Sequence, residues 1–120
     1  LQKNFRNAGL EITIEQWSIL YHLWKEDGLS QQELCTRTFR DKASITRLID
    51  NIEKLGLVER IASKDDRRVN LVYLTDAAKP LQEATYNLAN QTMNEALQGI
   101  SKEEIEIVKS VFQRVYENSK

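Results

Sequence analysis

The stretch DKASITRLIDNIEKLG, Asp41 to Gly56, constrains the fold more than any other part of the chain. Its apolar residues Ile45, Leu48, Ile49, Ile52 and Leu55 fall at i, i+3, i+4, i+7 and i+10, the spacing of one helical face. Asp41 stands where an N-cap belongs, and Gly56 where a left-handed C-terminal cap belongs. Directly afterwards the period drops to two. LVERIA (Leu57–Ala62) and NLVYLT (Asn70–Thr75) read as two short strands. The charged stretch Ser63–Val69 between them is too long for a two-residue turn, so it should project as a loop.

The flanks extend this frame. Thr13 and Gln16 make a capping box, and Trp17, Leu20 and Trp24 follow at helical spacing with Ile19 and Leu23 beside them; Gly28 ends that helix. Ser30 and Glu33 make a second box, opening a short helix that carries Leu34 and Cys35 and stops near Phe39. Downstream, Thr75 caps a long helix through about Gln98, with Leu81, Ala84, Leu88 and Ala96 along it and the hydroxyls of Thr85 and Thr92 interrupting the stripe. Pro80 lies one turn in, so that turn should be irregular or kinked. Gly99 ends the helix. Ser101 and Glu104 open a last one whose face carries Ile105, Val108, Phe112 and Val115, widened by Ile107 and Val111. The stripes of these two helices serve either a core or a dimer seam. A winged helix alone does not need both, which favours the seam.

A short helix, a brief turn and a stripe-faced helix form a helix-turn-helix, and the hairpin adds a wing. The expected fold is mainly α with a small β-hairpin wing, a winged helix-turn-helix plus a helical dimerisation region. Residues 1–12 are expected to form the N-terminal part of the dimerisation region, 13–75 the winged helix, and 76–120 the C-terminal dimerisation helices. Such a unit places its second helix in the major groove of duplex DNA. With the stripe facing the core, Lys42, Ala43, Ser44, Thr46, Arg47, Asp50 and Asn51 point outward. Small residues let a helix approach base edges, and Ser, Thr and Arg bond bases or phosphates. The same residues also suit a plain solvated helix face.

Charge distribution favours the DNA reading. The chain carries a net −1, but Arg37–Arg68 holds nine Lys/Arg against six Asp/Glu. A basic middle between acidic ends suits one face meeting phosphate, and plain surface patterning produces the same asymmetry. At the wing, SKDDRR places Asp66 two residues before Arg68. An acid at that spacing can hold the guanidinium by a bidentate pair while the arginine enters a minor groove, leaving Arg67 for a phosphate. Taken alone, the same cluster reads as a solvated hairpin tip.

DKASITRLIDNIEKLGLVERIASKDDRRVNLVYLT resembles the DNA-binding core of the MarR family of bacterial transcriptional regulators. The acid-x-arginine of the wing and the strand ending in Leu-Thr match at Asp66, Arg68, Leu74 and Thr75, and SQQEL at Ser30–Leu34 matches the helix before the turn. The resemblance spans roughly residues 10 to 118, with its specific motifs between 30 and 75. It implies a cytoplasmic regulator of transcription, repressor or activator, that binds double-stranded DNA as an obligate homodimer on a pseudo-palindrome and often answers a small-molecule or redox signal. It adds Ser30, Gln31 and Lys64 to the DNA-contacting residues. In that family the termini pair into the dimerisation domain; here only Leu1–Ala8 precedes Gly9, which makes the first helix short.

Other readings are weaker. Cys35 is the only cysteine, so neither an intrachain disulfide framework nor a thiolate zinc site is available, and an intracellular location fits. Beside Leu34 it reads first as a buried structural thiol and second as a redox sensor. His22 has no second histidine or cysteine near it for a metal. Trp17, Tyr21 and Trp24 are core aromatics that alternatively line a ligand pocket. No run is long enough to span a membrane, no secretory pattern opens the chain, and the missing initiator Met suggests a trimmed N-terminus. No paired carboxylates in an apolar setting, nucleophile–base pair or phosphate-binding glycine loop appears, so neither an enzyme nor a cofactor is expected. The competing class is a winged helix used only for protein–protein contact.

Overall fold

In the computed structural model residues 1–7 and 9–119 are described, with the backbone alone at Gln2 and Asn4. Ala8, within the short first segment, lies outside the described residues. The elements are α1 (Gln2–Asn7), α2 (Ile14–Lys25), β1 (Leu29–Ser30), α3 (Gln31–Thr38), α4 (Lys42–Lys54), β2 (Val58–Ala62), β3 (Asn70–Leu74), a single 3-10 turn (Asp76–Ala78), α5 (Lys79–Ala96) and α6 (Lys102–Ser119). None of the described helices is long and apolar enough to cross a membrane.

Local chemistry accounts for the helix starts. The Thr13 hydroxyl accepts from Gln16 N–H at 3.1 Å and Gln16 Oε1 accepts from Thr13 N–H at 2.9 Å, a reciprocal box. Ser101 and Glu104 do the same at the head of α6. Ser30 accepts from Glu33 N–H at 3.1 Å. The Asp41 carboxylate accepts from Ser44 N–H at 2.7 Å, and that bond holds its carboxyl below the ordinary carboxylate value. At the other ends, Gly56, the residue just past the C-cap of α4, takes φ +78°, and Phe39, the C-cap of α3, takes the left-handed region at φ 56° despite its side chain.

Three details depart from the sequence reading and one, the irregular turn before α5, agrees with it. Thr75 does not cap with its side chain; its hydroxyl donates to the Gly56 carbonyl and ties the end of the wing back to the end of α4. The irregular first turn is the 3-10 turn, and α5 begins at Lys79 with Pro80 second, where a missing N–H costs no helical bond. In α5 it is Thr85, not Ala84, that is buried, because its hydroxyl donates to the Leu81 carbonyl at 2.6 Å and so meets its own need. Leu55 is the C-cap of α4 and stays 41% exposed, so the buried stripe ends at Ile52.

The hairpin is part of a three-stranded antiparallel sheet in the order β1-β3-β2. The two-residue β1 pairs Leu29 with Val72 and Ser30 with Leu71, while β2 pairs Val58 with Leu74 and Arg60 with Val72. Contacts divide the chain into Leu1–Ala89 and Asn90–Lys120. The first unit holds a core in which Ile19 and Leu20 of α2, Leu34 of α3, Ile45, Ile49 and Ile52 of α4, and Val72 of β3 are fully buried. Burial of each such side chain stabilises by about 1.5–3 kcal/mol. In the second unit no residue of α6 is buried.

Candidate nucleic-acid interface

With Ile45, Ile49 and Ile52 buried, α4 turns Lys42, Ala43, Arg47 and Asn51 to solvent and leaves Ser44, Thr46 and Asp50 half-buried. The N-terminal half of that exterior is small, polar and cationic.

The wing tip is built by short-range bonds. Ser63 N–H donates to Val69 carbonyl at 2.8 Å and Val69 N–H to Asp66 carbonyl at 2.9 Å, which closes the loop. Asp66 Oδ1 accepts from Arg68 N–H at 3.0 Å and from its Nε at 3.1 Å, and Oδ2 accepts from Nη2 at 3.3 Å. The acid-x-arginine spacing therefore does form a fork, closed by the backbone as well. The Arg68 guanidinium, then its N–H, hold the Asp66 carboxyl below its ordinary value. The Arg68 side chain is nevertheless 90% exposed. It is oriented but not consumed. Lys64 and Arg67 are exposed beside it.

Between wing and helix stands a residue that reading by periodicity passed over. The Arg60 side chain of β2 is 17% exposed and reaches α4 with both terminal nitrogens of its guanidinium and α3 with its Nε. It meets Asp50 Oδ1 at 2.7 Å and Glu53 Oε1 at 3.0 Å, donates from Nε to Gln31 Oε1 at 3.1 Å, and donates from Nη2 to the Thr46 carbonyl at 3.3 Å. Gln31 Nε2 in turn donates to Thr46 Oγ1 at 3.2 Å. Gln31 and Thr46 are thus bonded to each other and to Arg60. Ser30, Gln31 and Cys35, Lys42 of α4, and Arg68 and Asn70 of the wing line one cleft of about 320 Å³. Cys35 itself is buried, 8% exposed.

The aromatics lie elsewhere. Trp17 meets Phe5 at 6.0 Å and Tyr21 at 5.5 Å between centroids, and Tyr86 of α5 meets Tyr21 at 5.9 Å and Trp24 at 6.1 Å. Lys25 Nζ sits 4.4 Å over the Tyr21 ring. The indole N–H groups of Trp17 and Trp24 are buried without a hydrogen-bond partner among the described residues. Phe5 and Tyr86 escaped the sequence reading because neither belongs to a long stripe. Burial, then the nearby Arg37 and Lys25 charges, lower the His22 pKa. Among the described residues no group of three or more His, Cys, Asp or Glu is placed to hold a metal ion.

The chain matches the MarR family over residues 9–69. It is similar to the crystal structure of a probable transcriptional regulator from Pseudomonas aeruginosa, with 30% identity and a TM-score of 0.84 over 95% of this chain and 86% of that one. A MarR transcriptional regulator from Methanosarcina mazei Go1 is 26% identical, with a TM-score of 0.84 over 98% of this chain and 84% of that one. The PcaV transcriptional regulator from Streptomyces coelicolor, solved in complex with its natural ligand, is 20% identical and superposes with a TM-score of 0.84 over 99% of this chain and 85% of that one, a likeness of fold.

Proposed function

The chain belongs to the MarR family of winged-helix transcriptional regulators, and from that premise we propose that it binds pseudo-palindromic operators in double-stranded DNA, sequence-specifically and as a homodimer. Residues 13–75 form the DNA-binding part, and 1–12 with 76–120 the dimerisation part. The α4 exterior enters a major groove, with Ser44 and Arg47 among the readers and Lys42, Ala43, Thr46 and Asn51 beside them. Ser30 and Gln31 lie near the backbone at the head of α3. The wing straddles the next minor groove, with Arg68 inside it and Lys64 and Arg67 on phosphates.

One observation carries the reading. The wing presents an arginine whose side chain is 90% exposed yet already oriented on Asp66 by two guanidinium bonds and one from its backbone N–H. A turn that only needed solubility has no use for an acid that fixes an arginine in water. An arginine bound for a narrow groove gains by being preorganised.

The reading places the protein in the cytoplasm, gives it no catalytic role, and includes a small-molecule effector as a further partner. The aromatic group of Trp17, Tyr21 and Trp24 is the effector site we favour, since its two buried indole donors have no acceptor among the described residues. Cys35, buried beside Leu34, suits packing better than redox sensing. The test is selection of bound sequences from a pool of random duplexes. The expected result is a two-fold symmetric motif with half-sites about one helical turn apart. A pool that enriches no motif sinks the proposal.

A further inference from the structure

We propose that Arg60 is a positioning residue for DNA recognition, locking the wing to the recognition helix without touching DNA. The inference rests on the DNA-binding reading above and adds a residue to it. Three observations carry it. Arg60 is the wing-strand residue whose guanidinium spans two turns of α4, meeting Asp50 and Glu53, with its backbone N–H donating to Glu53 Oε2 at 3.3 Å. The same group reaches the Thr46 carbonyl on α4 and Gln31 on α3, so one side chain joins all three elements of the proposed interface. It is also 17% exposed, whereas the Asp50 and Glu53 side chains are 50% and 41% exposed. The cation is turned inward, and the two carboxylates lie on the helix that would face phosphate.

Two consequences follow. Arg60 offsets two negative charges on a helix that must approach a polyanion. Its planar fork also fixes the distance between wing and helix, which a lysine, a point charge on a flexible stem, cannot do at four partners. Positioning acts on register, and register is what separates the right sequence from a random one.

The experiment compares Arg60→Lys with wild type for affinity to the selected operator and to a random duplex over a salt series, with a thermal melt beside it. The expected result is a fall of about tenfold in the ratio of specific to random affinity, the scale of one lost base contact. Random-duplex affinity and its salt slope stay at wild-type values, because charge is kept and no phosphate contact is lost. A parallel fall in both affinities marks a general loss of structure or a phosphate contact, and an unchanged ratio shows no positioning. Either overturns the proposal. If Arg60→Lys does not fold, Asp50→Asn and Glu53→Gln read the same coupling with opposite signs. Each removes a repulsive charge, so random-duplex affinity should rise while the ratio falls; a ratio that rises too overturns the proposal. A wild type that holds both duplexes equally overturns the DNA reading itself, and is told apart from failure of the Arg60 inference by the wild-type measurement alone.

Discussion

Asp66 brings a negative charge to the part of the wing that the proposed complex carries closest to phosphate. On Coulomb grounds its removal should tighten binding. The fork to Arg68 argues the reverse, because an arginine freed of its three bonds must be ordered again on binding. Arg68→Ala is expected to lower operator affinity and flatten the salt dependence, since fewer counterions are released. Asp66→Ala is expected to lower affinity while adding one positive charge to the tip. Titration of both single mutants and the double mutant across salt decides it: tighter binding by Asp66→Ala at every salt concentration removes the pairing from the mechanism. Asp41 yields a second residue-scale test. Its folded pKa lies below the ordinary 3.8, held there chiefly by the Ser44 N–H. A depressed carboxylate contributes stability that is present above the unfolded value and lost as pH falls through the folded one. Asp41→Ala should therefore melt earlier than wild type near neutral pH, with the gap closing below about pH 4. A gap that is constant down to strongly acidic pH excludes the charged cap as its source.

At the scale of elements, much was legible because local chemistry and tertiary packing agree. The α4 stripe predicted its own buried face at Ile45, Ile49 and Ile52, and Asp41 and Gly56 marked its ends. The strand period marked β2 and β3 to within a residue. What stayed hidden depends on long-range geometry. β1 is two residues long, too short for any periodic signal, and exists because Leu29 and Ser30 lie against Val72 and Leu71. Arg60 sits in a strand where any polar residue would satisfy alternation, so nothing local revealed that it spans to α3 and α4. The Asp66–Arg68 fork was visible for the opposite reason, since both partners belong to one tight turn. The loop into β1 is itself testable. Gly28 has φ +75°, and an added Cβ would stand 2.8 Å from Tyr73 Cε1. Its N–H donates to Val72 carbonyl at 3.1 Å, so the chain cannot simply swing away without losing the start of the sheet. Gly28→Ala should cost more than about 1 kcal/mol in urea unfolding with an unchanged slope. A cost below that would mean that Tyr73 and the loop yield freely.

For the molecule as a whole, the question is what covers α6. Ile107, Phe112 and Val115 are 63%, 69% and 58% exposed, and Val108, Val111 and Tyr116 are 51%, 44% and 56% exposed. These six fall on one stripe at helical spacing, which is more apolar surface than a soluble chain ordinarily leaves in water. Fully burying a Val or Phe side chain gains about 1.5–3 kcal/mol. Association costs about 4–15 kcal/mol, so a pair of such stripes, one from each copy, meets the cost where a single side chain cannot. A two-fold seam of this kind also suits the proposed pseudo-palindromic operator, whose half-sites, about one helical turn apart, take one winged helix from each copy. Charged residues at Val108 and Phe112, in a Val108→Asp/Phe112→Asp variant, should yield monomers in sedimentation at micromolar concentration. Neither side chain is buried in the single chain, so the variant should keep its helical circular dichroism. A monomer reaches one half-site, so operator affinity should fall steeply and the slope of log affinity against log salt should drop to roughly half, following the number of phosphates neutralised. The slope separates the two ways binding can weaken. A dimer with damaged grip would lose affinity and keep a slope near the wild-type value, whereas a lone winged helix must lose both. A wild type that sediments as a monomer at the same concentration would refute the seam, and α6 would then need a different partner.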